Sequence, residues 1–148
     1  MIKIFFIFFL YIFHSCPLCN QVTVEKDFLL HSKEKRMGIY YHVNLINELV
    51  FTIGYEKMKS GENIISALSY PFKSYKFYTL YEKNSVGFAI EKFVHDENSI
   101  YIEINNLKEK ELNMYYYHKV SDNIMLKIGA EKINKDKIDL TIGFLINF

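Results

Sequence analysis

The sequence predicts an all-β protein: an antiparallel meander of about nine or ten strands, forming a transmembrane β-barrel or part of one. The chain divides into segments of roughly ten residues separated by short polar turns, and apolar residues alternate with polar ones inside the segments. Strands have this period of two, whereas a helix would scatter the same apolar residues around its surface. The composition agrees, because 12 Tyr and 13 Phe with only 6 Gly and 2 Pro favour strands.

The predicted strands follow one another through most of the chain. Residues 22–30 are a candidate first strand, and the clearer pattern begins near Arg36. The other segments, each ended by a short turn or by Pro71, are residues 37–46, 48–57, 63–70, 75–81, 86–94, 100–107, 112–120, 124–133 and 138–148. No gap is long enough for a crossover helix, so neighbouring segments should pair as antiparallel hairpins.

The alternation separates an apolar face from a polar one. In residues 138–148 every even position is Ile, Leu or Phe, whereas Asp139, Thr141 and Asn147 occupy odd positions. Strands of about 9–11 residues suit a tilted bilayer crossing. The tyrosine-rich segments 40–41 and 115–117 are expected to form an aromatic girdle at the headgroups. A soluble β-sandwich with a solvated polar face is the alternative architecture.

In a barrel of this kind the polar face lines a lumen, and the charges on its wall decide which ions pass. The alternation also identifies the side chains that face the lumen, although one β-bulge would reverse the assignment beyond it. The candidate channel-lining residues are His42, Asn44, Thr52, Glu56, Glu91, Glu103, Asn105, Asn113, Lys127, Glu131, Asp139 and Thr141.

The sequence shows no motif for catalysis, a cofactor or a metal. There is no phosphate loop, no dinucleotide-binding turn and no H-E-x-x-H. Cys16 and Cys19 form one C-x-x-C pair, and with His14 they still fall short of the four ligands of a zinc site. We therefore predict neither an enzyme nor a metalloprotein, and the net charge of +1 does not indicate nucleic-acid binding.

We divide the chain into an apolar N-terminal segment, residues 1–20, and the strands of residues 21–148, which form either a barrel or an incomplete barrel. The segment begins with Lys3 and an apolar run to Phe13, too short for a transmembrane helix of about 20 residues. It has the shape of a signal peptide without a clean cleavage site. The other interpretations are an uncleaved apolar start and a start codon placed upstream of the true coding segment.

The most specific pattern lies in residues 112–131. A strand ending in Tyr116, Tyr117, His118 and Lys119 precedes a short Ser-Asp turn and a strand that closes with an apolar-Gly-x-Glu sequence. This pattern resembles the pore-forming subunit of the mitochondrial outer-membrane protein-import translocase (TOM complex), in the eukaryotic porin superfamily. The ending, with Gly143 and a terminal Phe148, also looks like the targeting signal of mitochondrial barrels, although bacterial barrels favour such an ending too.

The resemblance implies a channel component that translocates unfolded precursor proteins across the mitochondrial outer membrane. Its partners would be the lipid bilayer, mitochondrial precursor proteins and other translocase subunits. Barrels of that superfamily have about 19 strands, so the resemblance also implies a fragment or a reduced protein. The alternatives are a small bacterial outer-membrane barrel, porin-like or an adhesin, with a signal peptide, and a secreted soluble β-protein.

Overall fold

The computed structural model describes residues 19–45, 48–82, 85–105, 110–135 and 137–148. The predicted N-terminal segment, with Cys16 and His14, lies outside the described residues apart from its last two positions. Ten strands are present: β1 (Cys19–Leu29), β2 (Glu34–Asn44), β3 (Val50–Met58), β4 (Gly61–Phe72), β5 (Tyr75–Glu82), β6 (Ser85–His95), β7 (Asn98–Asn105), β8 (Glu111–Ser121), β9 (Ile124–Glu131) and β10 (Asp139–Asn147).

The strands form one closed antiparallel barrel. Each strand pairs with its neighbours in sequence, and β1 pairs with β10 to close the sheet, with Thr23 opposite Asn147 and Asp27 opposite Gly143. Closure removes the unpaired edges that an open sheet would expose. The predicted fold class is confirmed, and the candidate strand of residues 22–30 is β1. No helix in the described part of the chain is long and apolar enough to cross a membrane.

The strand bounds differ from the prediction at two informative places. β2 begins at Glu34, three residues before the predicted start, because Glu34 and Lys35 pair with Leu29 and Phe28 despite their polarity. β4 continues through Pro71, which was predicted to end it. The pairing of β4 with β3 stops at Ser69, so Pro71 pairs only with β5, opposite Lys76. Because Pro71 has no partner on β3, its missing N–H leaves no hydrogen bond to β3 unmade.

The barrel is apolar outside and polar inside. Large apolar side chains such as Ile102, Ile128 and Leu140 are exposed on the outer face, whereas Thr141 and Lys127 are 0% and 3% exposed. Among the described residues, ten buried positions are polar or charged and five are apolar. A soluble sandwich would reverse this distribution, and an outer apolar band around a polar interior is the pattern of a transmembrane barrel.

The expected aromatic girdle is wrong for three of its five tyrosines. Tyr40, Tyr115 and Tyr117 line the interior, while Tyr116 is exposed on the outer face. The reason is the period of two, which sends adjacent residues of a strand to opposite faces. Other aromatic side chains supply outward-facing rings, and the exposed ones on the strands include Phe28, Tyr70, Phe72, Phe77, Tyr81, Phe88 and Phe144.

We expect Ile142→Arg, near the middle of β10, to destabilise the barrel in vesicles by about 2–4 kcal/mol, since it places a cation at bilayer depth. Leu140→Arg, beside the strand end, is the matched variant and should cost about 0–1 kcal/mol because its side chain reaches the headgroups. Urea unfolding from lipid vesicles measures both. Equal, small costs would mean that the outer face of β10 does not meet hydrocarbon.

Candidate channel interior

The barrel encloses an interior space of about 1100 Å³. We call the end that carries the β1–β2 turn the first mouth and the end that carries the β8–β9 turn the second mouth. The lining reaches from Ser32 and Ser60 at the first mouth to Asn123 and Phe148 at the second. The lining residues are therefore drawn from the whole length of the barrel and are mainly inward-facing side chains of the strands.

The structure places the predicted channel-lining residues on this interior face. Eleven line the space directly, namely His42, Asn44, Thr52, Glu56, Glu91, Glu103, Asn105, Asn113, Lys127, Glu131 and Asp139. The twelfth, Thr141, is fully buried in the same wall, where its hydroxyl donates to Glu131 at 3.1 Å.

Five charged side chains form a buried network on one side of the interior. The Lys127 ammonium contacts the carboxylates of Glu25 and Asp27, the latter at 2.7 Å. The Arg36 guanidinium donates to Asp27 at 2.5 Å and to Glu131 at 2.6 Å. These side chains are between 0% and 12% exposed. Charges so far from water need opposite charges around them, and each member of the network has at least one.

The network lies across the closing pair of strands. Glu25 and Asp27 belong to β1, Arg36 to β2, and Lys127 and Glu131 to β9, with β10 between β9 and β1. Lys127 is opposite Gly143, which is itself opposite Asp27, so the absence of a side chain on β10 leaves room for the contact. A Cβ atom at Gly143 would overlap the Asp27 carboxylate.

Tyrosine hydroxyls bind the carboxylates on the opposite part of the wall. Tyr78 donates to Glu91 at 2.5 Å and Tyr101 donates to Glu103 at 3.0 Å. The Tyr78 and Tyr101 rings meet edge to face with centroids 5.3 Å apart. Tyr101 also contacts the rings of Tyr115 and Tyr117, at 6.0 and 6.3 Å. These rings narrow the interior, and their hydroxyls supply hydrogen bonds to the carboxylates without adding a cation beside them.

Tyr40 makes the same kind of contact beside the charge network. Its hydroxyl donates to Glu56, and its ring lies against Gly38 and Gly54 on the barrel wall. A Cβ atom at Gly38 would lie 2.5 Å from the Tyr40 hydroxyl oxygen, and one at Gly54 would overlap the ring. The two glycines therefore let a large side chain lie flat on the wall instead of crossing the lumen.

Threonines hold the His42 ring on the same wall. The His42 Nδ1 atom lies 2.9 Å from the Thr52 hydroxyl and the Nε2 atom lies 3.0 Å from the Thr23 hydroxyl. Thr23 in turn donates to the Asn147 amide oxygen at 2.8 Å. Both ring nitrogens are thus engaged, and the contacts fix the orientation of the imidazole.

Sequence reasoning missed several interior residues that carry charge or fill space: Glu25, Asp27, Arg36, Lys76, Tyr40, Tyr78, Tyr101, Tyr115 and Tyr117. The tyrosines were identifiable by parity, since Tyr101 shares its face with Glu103 and Tyr115 shares its face with Asn113. Glu25 and Asp27 alternate with Val24 and Phe28 in β1, a strand whose existence the sequence predicts only weakly.

Carboxylates outnumber cationic side chains along the interior. The described lining contains Glu25, Glu34, Glu56, Glu82, Glu91, Glu103, Glu111, Asp122, Glu131 and Asp139 against Arg36, Lys76, Lys127 and Lys132. A hydrogen bond from Lys119 lowers the pKa of Asp122, in the β8–β9 turn, and keeps this carboxylate charged at the second mouth. The interior therefore presents a net negative field to a solute.

None of the described His, Cys, Asp and Glu side chains form a group of three suited to a metal ion. The carboxylates instead accept hydrogen bonds from tyrosine and asparagine, such as Asn63, which donates to Glu82 at 2.5 Å. Asp139, at the first mouth, accepts from the backbone amides of His31 and Ser32 at 2.8 and 3.2 Å, and so fixes the β1–β2 turn.

Comparison with known proteins identifies solved structures with a similar fold but no protein family. No protein-family model matches the chain, and no curated protein matches it at a significant level. Among solved structures, "KdgM porin in complex with disordered oligogalacturonate" has a TM-score of 0.52 at 9% identity, covering 87% of this chain and 99% of the other. "KdgM porin" has a TM-score of 0.51 at 8% identity with the same coverage.

A further similar structure is described as "De novo design of transmembrane beta-barrels", with a TM-score of 0.46, 13% identity, and coverage of 90% of this chain and 98% of the other. The porin similarities agree with the strand pairing and with the apolar outer face. The chain therefore has the architecture of a transmembrane β-barrel.

We expect Lys127→Met to lower the free energy of unfolding by about 3–5 kcal/mol, since it leaves Glu25 and Asp27 buried with too little positive charge. The double variant Lys127→Met with Glu25→Gln restores the net charge of the network and should recover part of the loss. Lys119→Met, which removes a cation from an exposed pair, should change little. Unfolding in vesicles tests all three, and a Lys127→Met barrel as stable as the parent would contradict the role given to the network.

Proposed function

We propose that the protein is a small porin-like channel of an outer membrane of the bacterial type, which favours small cations. The observation that carries this proposal is the excess of carboxylates along an interior space that reaches both mouths of a lipid-facing barrel. Cations are concentrated and anions are repelled where one sign of charge lines a low-dielectric passage. The proposal involves no catalysis.

The carboxylates on the tyrosine side of the wall supply the field. Glu56, Glu91 and Glu103 each accept a hydrogen bond from a neutral tyrosine hydroxyl. The carboxylates of the charge network, in contrast, are balanced in large part by Arg36 and Lys127. Among the described residues, the wall formed by β3 to β7 carries one interior cation, Lys76, against these three carboxylates, so a permeating cation is expected to follow it rather than the closing seam.

The size of the barrel limits what can pass. Eight strands leave an interior just wide enough for side chains, and wide aqueous channels need about 16–18 strands. Ten strands whose interior holds a cluster of tyrosines around Tyr101 are expected to leave room only for ions and small solutes. The similar KdgM structure is described with oligogalacturonate, a polyanion, and the carboxylates of this interior do not suit such a ligand.

The role in mitochondrial protein import, suggested by the pattern in residues 112–131, stays a prediction. The similar structures reported above are porins and a designed barrel, and none of them is described as an import translocase. An unfolded polypeptide would also need a wider passage than a ten-strand wall with inward tyrosines provides. The bacterial alternative has the support of the porin-like fold.

In planar bilayers under a potassium chloride gradient, we expect a reversal potential whose sign shows that potassium permeates better than chloride. Replacing Glu56, Glu91 and Glu103 together with Gln should lower the potassium-to-chloride permeability ratio by about 3- to 10-fold, because their charge is removed while their shape is kept. Glu62→Gln, on the outer surface, is the control and should leave the ratio unchanged. Chloride preference in the parent, or no channel activity, would overturn the proposal.

We expect Tyr101→Ala to raise single-channel conductance, since the Tyr101 ring contacts three other tyrosines in the interior. Tyr116→Ala is the matched control: it removes the same group from the neighbouring strand, but on the outer face. Its conductance should equal that of the parent. If Tyr101→Ala left the conductance unchanged, the tyrosine cluster would not border the conducting path.

A further inference from the structure

The outer surface of the barrel is mostly apolar, and its cationic side chains are concentrated near the first mouth. On the described strands four lysines face outward: Lys26, Lys35, Lys57 and Lys92. Lys92 lies near the second mouth, 5.7 Å from the centroid of the Tyr75 ring. The other three lie on β1, β2 and β3, and we call them the lysine patch.

The lysine patch surrounds Met37. Lys26 and Lys57 are the direct cross-strand partners of Met37 on either side, and Lys35 precedes Met37 by two residues on the same face. Direct partners on one face lie about 5 Å apart, and diagonal partners about 7–8 Å apart. Three flexible side chains therefore start from neighbouring positions around one exposed apolar residue, which is 54% exposed.

The patch carries little compensating charge. Among the described residues, no carboxylate lies within ion-pair distance of Lys26 or Lys35. Lys57 has one acidic neighbour, Glu62, at 3.7 Å, and both side chains are exposed. Such an exposed pair is weak and leaves most of the lysine's field intact.

The position of the patch relates it to the membrane surface. Lys35 and Lys57 are each one residue from the end of their strand, and Lys26 is three residues from the end of β1. That distance is about 10 Å along the strand, and a lysine stem can reach much of it toward the headgroups. Phe28 and Phe144, the direct partners of Lys35 and Lys26, provide apolar surface beside the ammonium groups.

We propose that Lys26, Lys35 and Lys57 form a binding site for the phosphate of an anionic membrane lipid, whose acyl chains lie over Met37 and the adjoining apolar wall. Charge complementarity identifies the occupant: three lysines occupy neighbouring outward positions near the strand ends, and an apolar surface continues below them toward the bilayer centre. The site depends on the transmembrane fold and not on channel activity.

Native mass spectrometry of the full chain, folded in detergent and titrated with phosphatidic acid, tests this site. We expect one tightly bound lipid, and we expect replacement of all three lysines with Gln to weaken its binding about 100-fold, or roughly fivefold for each lysine. Phosphatidylcholine should bind the parent no better than the variant.

The control variant replaces Lys110, Lys132 and Lys137 with Gln. It makes the same change in charge at the same end of the barrel, but outside the patch. We expect this variant to bind phosphatidic acid within about fivefold of the parent. Circular dichroism and heat-dependent gel mobility confirm that both variants fold.

Three results would overturn the proposal. Equal binding of phosphatidic acid by the patch variant and the parent would show that the lysine patch is not the binding site. An equal loss in both triple variants would mean that diffuse charge, not the patch, attracts the lipid. Displacement of the lipid by an equal concentration of inorganic phosphate would show that the acyl chains make no contribution, so that a membrane lipid would not be the occupant.

Discussion

The contact of Lys127 with Glu25 and Asp27 is the constraint on which closure of the barrel depends. These side chains are buried, and a buried cation without its carboxylates would be strongly destabilising. Lys127 and Glu25 are 102 positions apart in the chain, so only a closed sheet brings them together. A slip of one residue between β1 and β10 would turn Asp27 toward lipid. The network therefore selects both the partner strand and its register.

The same inner wall determines what the lumen offers a solute. Glycines at positions 38 and 54 let the Tyr40 ring lie flat, and hydroxyls from the tyrosines hold carboxylates in place without neutralising them. Aromatic rings thus narrow the lumen, and Glu carboxylates that accept hydrogen bonds from the tyrosine hydroxyls contribute negative charge to it. Arg36 and Lys127 balance most of the negative charge near the closing strands, whereas Lys76 is the cation on the tyrosine side, so the two parts of the interior differ in charge.

The alternation of residues predicts the strands, their antiparallel order and the sorting of side chains into two faces. It does not say which face is inside, and it does not identify the partner of Glu25, since the partner is distant in sequence. It also misplaces Tyr40 and Tyr115, because a run of tyrosines suggests a membrane girdle until neighbouring positions are assigned to opposite faces. Pro71 stays in β4 because β3, which begins at Val50 opposite Ser69, does not extend as far as Pro71. The sequence pattern does not contain this register.

The apolar outer face has a consequence for how such a protein changes over evolutionary time. A position that meets hydrocarbon must be apolar, but Ile, Leu, Val, Phe and Met satisfy lipid almost equally well. The outward-facing positions of each strand therefore require little more than an apolar residue. Positions such as Ile128 and Ile142 can change to other apolar residues without changing the fold. Barrels of this kind can therefore share a fold while having few identical residues, as the 8–9% identity to the porin structures illustrates.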